Sequence, residues 1–236
     1  MKHTSYSRRR FVRHGLALTG AGFLSGAVGS ISAASKNTDV SPVTPDQALD
    51  ELMAGNQRYV TGNNTQHDFG PERGALAQSQ HPFAIILGCA DSRVSPELCF
   101  DQSRGRLFVV RLAGNFMDDN GLASMEFGAS VLGSSLILVL GHTECGAVKA
   151  AVDVVTKGAS LPGHLPKLVS YLKEPVEKVR SEGGNIVDRA IRENVVLNAA
   201  NLRTAEPVLA GLVKEGRLRV VGGIYDLATG KVDIVA

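Results

Sequence analysis

A thiol, a carboxylate and a guanidinium alternate in Cys89-Ala90-Asp91-Ser92-Arg93, directly after the apolar run at 83–87. A second apolar run, 135–140, ends in Gly141-His142-Thr143-Glu144-Cys145. Side chains of these types at the ends of two strands are poor packing material and useful chemistry. Two sulfurs and one imidazole supply three ligands of a tetrahedral zinc site and leave the fourth position open to water. His142 and Cys145, three residues apart at a strand-to-helix junction, can converge on one ion. Cys145 falls near the start of the following helix, where backbone N–H groups and the helix dipole stabilise a thiolate. Asp91 can accept a hydrogen bond from water at the metal, or swing onto the metal and close the open position. Arg93 can hold Asp91 ionised through paired hydrogen bonds. Cys99, between Leu98 and Phe100, reads instead as an inert buried thiol.

The rest of the chain has to bring those two strand ends together. The runs 83–87, 107–110 and 136–140 lack polar alternation and are too short for buried helices, so they read as central parallel strands. Residues 217–221 add a fourth strand and 231–235 a short edge strand. Helical patterns lie around them. One starts at Thr44-Pro45-Asp46, runs to Tyr59 and stops at Gly62; others cover 71–79, 121–132 and 145–155. Two long amphipathic stretches follow, 164–179 bent at Pro175 and 186–213 bent near Pro207. Strands alternating with helices define an α/β domain: a mostly parallel central sheet of about four strands plus an edge strand, flanked by helices. Open sheets of this kind carry their sites at the carboxyl ends of the strands.

With 236 residues and 44% hydrophobic content the chain can bury one sizeable core. Three cysteines exclude an extensive disulfide framework. The net charge of +2 is unevenly placed: Lys2, Arg8, Arg9, Arg10 and Arg13 stand in the first 34 residues without an acid, and subtracting these five leaves −3 for 35–236. No basic stripe for nucleic acid remains. Ser7-Arg8-Arg9-Arg10-Phe11-Val12-Arg13 resembles the twin-arginine export signal. A Gly/Ala-rich, mildly apolar stretch follows at 15–31, and Ser32-Ala33-Ala34 offers small residues for cleavage. The expected organisation is a signal peptide at 1–34, a linker at 35–44 and one catalytic domain at 45–236, exported to the periplasm. Glycines interrupt the apolar stretch, so no stable membrane anchor is expected after processing.

Cys89-Ala90-Asp91-Ser92-Arg93-Val94, followed by Gly141-His142-Thr143-Glu144-Cys145-Gly146-Ala147-Val148, resembles the β-class carbonic anhydrases. Leu52-Met53-Ala54-Gly55-Asn56-Gln57-Arg58-Tyr59 is similar to that family's N-terminal helix, and Arg111-Leu112-Ala113-Gly114-Asn115 to its post-strand loop. The likeness covers nearly all of 45–236. It implies one zinc per chain on Cys89, His142 and Cys145, and reversible hydration of carbon dioxide to bicarbonate and a proton by attack of zinc-bound hydroxide. Asp91 and Arg93 match the family's dyad, with Asp91 a further metal ligand when Arg93 lets go. Gln80 matches a glutamine that holds substrate oxygen in some members, and Phe108 an apolar pocket position. The resemblance further implies a homodimer or higher homo-oligomer, with pockets at or near a dimer interface. Two departures stand out. The chain has no tryptophan, on which a noncatalytic bicarbonate site relies in some members, and no tyrosine around 118–121. Two rival readings keep the same zinc: a carbonyl sulfide or carbon disulfide hydrolase, and a non-catalytic exported protein with Asp91 permanently on the metal. The second has no use for Arg93.

Overall fold

Strands that must be buried on both faces need layers on both sides, and helices provide them. The computed structural model describes residues 43–236. The expected signal peptide at 1–34, and the expected linker at 35–44 up to residue 42, lie outside the described residues. In chain order the elements are α1 (Pro45–Thr61), α2 (Glu72–Leu76), β1 (Ala84–Gly88), α3 (Pro96–Cys99), β2 (Leu107–Arg111), α4 (Asp119–Ser130) and β3 (Leu136–His142). They continue with α5 (Gly146–Lys157), α6 (Leu165–Ser170), α7 (Lys173–Val179), α8 (Ile186–Arg203), α9 (Leu209–Lys214), β4 (Arg219–Tyr225) and β5 (Val232–Ile234).

The strands form one five-stranded sheet in the order β2-β1-β3-β4-β5, parallel except for β5, which runs antiparallel to β4. On one face Ile86, Leu138, Leu140 and Val221 pack with Leu52 of α1 and with Phe100. On the other, Ile85, Leu87, Ile137 and Val139 meet Met125 of α4 and Val195, Ala199 and Leu202 of α8. Each such side chain contributes about 1.5–3 kcal/mol by leaving water, which is why polar alternation is missing from these strands. The chain leaves β1 for β2 on one side and returns to β3 on the other. The crevice at the carboxyl ends of β1 and β3 is therefore the sheet's topological switch point.

The long amphipathic stretches break differently from expectation. Residues 164–179 divide into α6 and α7 at Tyr171-Leu172, and Pro175 sits in the first turn of α7. There its missing N–H removes no helical bond, so it bends nothing. Residues 186–213 divide at 204–208, where Pro207 falls between α8 and α9.

Helix α1 is fixed at its start by its own cap and further along by close packing on the end of α3. Thr44 Oγ1 accepts from Gln47 N at 3.3 Å while Gln47 Oε1 accepts from Thr44 N at 3.0 Å, a capping box with Pro45 at the first helical position. Further along, a Cβ built on Gly55 would lie 1.8 Å from the Phe100 carbonyl oxygen. Gly55→Ala is thus expected to push α1 away from the end of α3 at Phe100 and cost about 3 kcal/mol, a drop of roughly 10 °C in Tm for a domain of this size. Thermal unfolding checks it.

Asp101, at φ +47°, ties the 63–70 loop to α1: its carboxylate accepts from Arg58 Nε at 2.5 Å, Thr65 Oγ1 at 2.8 Å and Thr65 N at 3.0 Å. Burial pushes this carboxyl upward, but the Arg58 and Thr65 hydrogen bonds outweigh it and hold the group below its ordinary value. A depressed folded-state value stabilises above the unfolded carboxyl's pKa of about 3.9 and fades as pH falls below it. In urea melts from neutral to acid pH, Asp101→Asn is expected to be the less stable chain at neutrality and to lose less on acidification.

Candidate active site

Three elements deliver the site. Cys89 follows directly on β1, His142 is the last residue of β3, and Cys145 is the N-cap of α5. Between the last two, Glu144 adopts the left-handed conformation at φ +62°, which turns the chain back so that Cys145 lies beside His142. The Glu144 side chain itself points outward to an ion pair with Lys149. The ligand atoms of Cys89, His142 and Cys145 all lie within 4.8 Å of one another, and all three residues are buried.

The chemistry of this donor set fits a zinc ion. His142 Nδ1 donates to the Thr143 carbonyl at 2.8 Å, which fixes the tautomer and leaves Nε2 as the free lone pair. Nε2 is buried and has no hydrogen-bond partner among the described residues. The Cys89 sulfur accepts from Gly114 N at 3.3 Å, and Cys145 stands at the N-terminus of α5 without a side-chain cap hydrogen bond, where the backbones of Ala147 and Val148 favour its thiolate form. As a metal-free pair the two thiols share a proton. Cys89 is lowered to about 4, chiefly by the hydrogen bond from Cys145, and the same contact together with burial pushes Cys145 up. Burial works against a charged His142, but the neighbouring Cys89 thiolate raises its pKa nonetheless.

Asp91 stands at the open side of this cluster, its Oδ2 3.9 Å from His142 Nε2. Arg93 grips it through Nε to Oδ1 at 2.9 Å, Nη2 to Oδ2 at 2.8 Å and its own backbone N–H to Oδ1 at 3.0 Å. These bonds hold the Asp91 carboxyl well below the usual carboxylate range, so it is ionised at any working pH. Arg111, the last residue of β2, clamps the same loop from the other side, donating from Nε to the Cys89 carbonyl at 2.8 Å and from Nη2 to the Asp91 carbonyl at 2.6 Å.

The fold thus gathers Cys89, Asp91, Arg93, His142 and Cys145 at one end of the sheet. Gln80 and Phe108 are not brought there. Gln80 precedes β1, and Phe108 pairs with Ile85 near the strands' amino ends. That edge is about four residues, or about 13 Å, from Cys89. Cys99 is buried against Leu52 and Phe100, and burial pushes its thiol up, as an inert core cysteine requires. Arg111 and Gly114 were visible in the sequence only as a family-like loop. Their hydrogen bonds to the site are three-dimensional facts with no local signature.

An α/β sheet with a Cys/His/Cys cluster and a clamped carboxylate at its switch point defines a metal-site protein. Comparison with known proteins narrows the class. The carbonic anhydrase family profile matches residues 84–232. The chain is 37% identical over 191 residues to the carbonic anhydrase of Mycolicibacterium smegmatis, covering 80% of this chain and 93% of that protein. It is 38% identical over 196 residues to carbonic anhydrase 2 of Mycobacterium tuberculosis, covering 79% and 91%. Among solved structures, the β-carbonic anhydrase CcaA superposes with a TM-score of 0.61 at 29% identity, covering 80% of this chain and 98% of that one. The chain belongs to the carbonic anhydrase family, and within it to the β class.

Proposed function

We propose that this chain catalyses the reversible hydration of carbon dioxide to bicarbonate and a proton, with one zinc ion per chain on Cys89, His142 and Cys145. The observation that carries this reading is the buried donor cluster with a clamped, ionised Asp91 at its open side. Zinc, when bound, supplies the Lewis acidity that brings water into the range of deprotonation near neutral pH. The remaining work falls to side chains of this protein. Two thiolates make an electron-rich donor set, and the Gly114 N–H draws charge from the Cys89 sulfur while the N-terminal end of α5 favours the Cys145 thiolate. An ionised carboxylate only accepts hydrogen bonds, so Asp91 takes the O–H of the attacking water and turns its lone pair toward carbon. Arg93 bonds to both Asp91 oxygens and holds the carboxylate beside the three donors rather than among them.

Stopped-flow hydration by the full chain from about pH 6.5 to 9, with zinc quantified on the same sample, tests the proposal. Rapid hydration at about one zinc per chain is expected. Faster turnover of carbonyl sulfide or carbon disulfide would move the assignment to a sulfur-substrate hydrolase. Zinc without turnover at any pH would leave only a structural role.

A substrate role for Gln80 and Phe108 requires a second copy of the chain, since within one chain they lie at the far edge of the sheet. The edge strand β2 with half-buried Phe108, Val109 and Val110, beside exposed Phe127 and Val131, suits such a copy. Sedimentation should show at least a dimer. Export is proposed on the twin-arginine-like stretch, with cleavage near Ala34 and a catalytic domain at 45–236. Among the described residues no helix is long and apolar enough to cross a membrane. Lysine at both Arg8 and Arg9 is expected to retain the protein in the cytoplasm, as cell fractionation would show.

A further inference from the structure

We infer that Asn194 and Asn198, a buried asparagine pair one turn apart on α8, are positioning residues for the Cys89 thiolate, a role that rests on the zinc reading above. Asn194 is 1% exposed and Asn198 6%. Asn194 Nδ2 donates to the Gly114 carbonyl at 2.8 Å, and Asn198 Oδ1 accepts from Met117 N at 2.9 Å. Asn198 Nδ2 in turn donates to the Asn194 carbonyl at 2.8 Å and to Asn194 Oδ1 at 3.0 Å, which orients both amides. The loop so held is the one whose Gly114 N–H reaches the Cys89 sulfur.

That loop is closed by a single backbone bond of its own, Asn115 N to the Leu112 carbonyl at 2.9 Å. Gly114 and Asn115 are consecutive left-handed residues, at φ +96° and +40°, a backbone combination that persists only where the surroundings impose it. Gly114 has no Cβ to restrict it, and none fits: one built there would lie 2.7 Å from Leu172 Cδ1. The peptide after Gly114 is held on both edges, by the Leu112 carbonyl on its N–H and by Asn194 on its carbonyl, and Asn194 is the side-chain hold from outside the loop that limits how Gly114 can turn its own N–H. Packing α8 on the sheet does not require amides, since Val195, Ala199 and Leu202 of the same helix do that with apolar groups. Burying two side-chain amides is costly unless each bond is made, and here the bonds go to the loop at the thiolate. A donor fixed on a ligand sulfur stabilises its thiolate form and lowers the energy of its lone pairs.

The test uses the full chain loaded with cobalt(II), whose thiolate-to-metal charge-transfer band reports sulfur lone-pair energy, and zinc retention measured by chelator competition. Asn194→Leu is expected to move the band to lower energy and weaken zinc retention about tenfold. Asn194→Asp keeps the size and the acceptor for Asn198 but removes the donor, and should shift the band in the same direction should the leucine variant fail to fold. Leu209→Ala, buried in α9 away from the loop, should lower Tm and leave band and affinity in place. Asn194 variants with the wild-type band and wild-type affinity, altered only in Tm, would overturn the inference and reduce the pair to packing. A wild-type chain that takes up neither ion would overturn the zinc reading itself, and this inference with it.

Discussion

Cys89→Ser is expected to release the zinc and lower carbon dioxide hydration by more than about a thousandfold, because unaided water has a pKa near 15.7 rather than about 7. The change swaps one sulfur for a smaller, harder oxygen at a position buried against Phe116 and Val148. It removes one of three converging donors, and the remaining imidazole and single thiolate no longer make the set that favours zinc. The fold should survive. β1 is held by parallel partners on both sides, β2 and β3, and the Gly114 N–H still finds an acceptor in the serine hydroxyl. Metal-free variant and metal-free wild type should therefore melt within a few degrees of each other, whereas only the wild type gains stability on adding zinc. Cys99→Ser is the matched control: it alters a buried sulfur outside the cluster and should keep its zinc. Elemental analysis and stopped-flow rates on the three chains decide it, and a Cys89→Ser chain with full zinc and normal turnover would dismiss the proposed ligand set.

What could be read from the sequence, and what could not, follows from the range over which each feature is encoded. β1 and β3 announce themselves because burial on both faces demands unbroken apolar runs, and the residues after them stand out because a thiol, a carboxylate and an imidazole have no packing role there. Helix α1 is equally local, with its cap, proline and stop in one stretch. The break at Tyr171-Leu172 was not legible, since the apolar spacing of 164–179 continues across it and Pro175 drew attention to the wrong place. Sheet order is also silent in a single sequence, and so is the distance it puts between Gln80 and the cluster. Two arginines meet the Cys89 loop, but only Arg93 lies within the motif. Arg111 reaches the Cys89 and Asp91 carbonyls from the adjacent strand, and Asn194 and Asn198 look like ordinary polar residues of an amphipathic helix until the Gly114 loop is laid against them.

Arg93→Ala should leave Tm nearly unchanged and yet silence the enzyme at neutral pH. Arg93 is mostly exposed, so its ion pair contributes little to stability. Its two guanidinium bonds to Asp91 are nonetheless what keeps that carboxylate in place, since the backbone N–H of residue 93, which the variant retains, holds only Oδ1, and Asp91 Oδ2 already stands 3.9 Å from His142 Nε2. Freed of the guanidinium, the carboxylate can rotate into the side that the three donors leave open and exclude water there. A loss of about 10²–10³ near pH 7 is expected, the scale seen when a preorganised polar contact at a reacting centre is removed. The pH dependence separates this from simple loss of a charge. Without Arg93 the Asp91 carboxyl returns toward its ordinary value near 3.9, so it stays ionised throughout the assay and its own titration cannot restore activity. Rising pH restores activity instead because hydroxide competes with the carboxylate for the open side. Asp91→Asn carries no charge with which to compete and lacks the acceptor that orients water, so its activity should stay low as the pH rises. X-ray absorption at the zinc edge provides the second readout, with a carboxylate oxygen and the carbon behind it expected near the ion in Arg93→Ala at pH 7 and absent in Asp91→Asn. A wild-type rate at neutral pH with a wild-type pH profile for Arg93→Ala would show that Arg93 does not restrain Asp91, and the dyad would lose its assigned role.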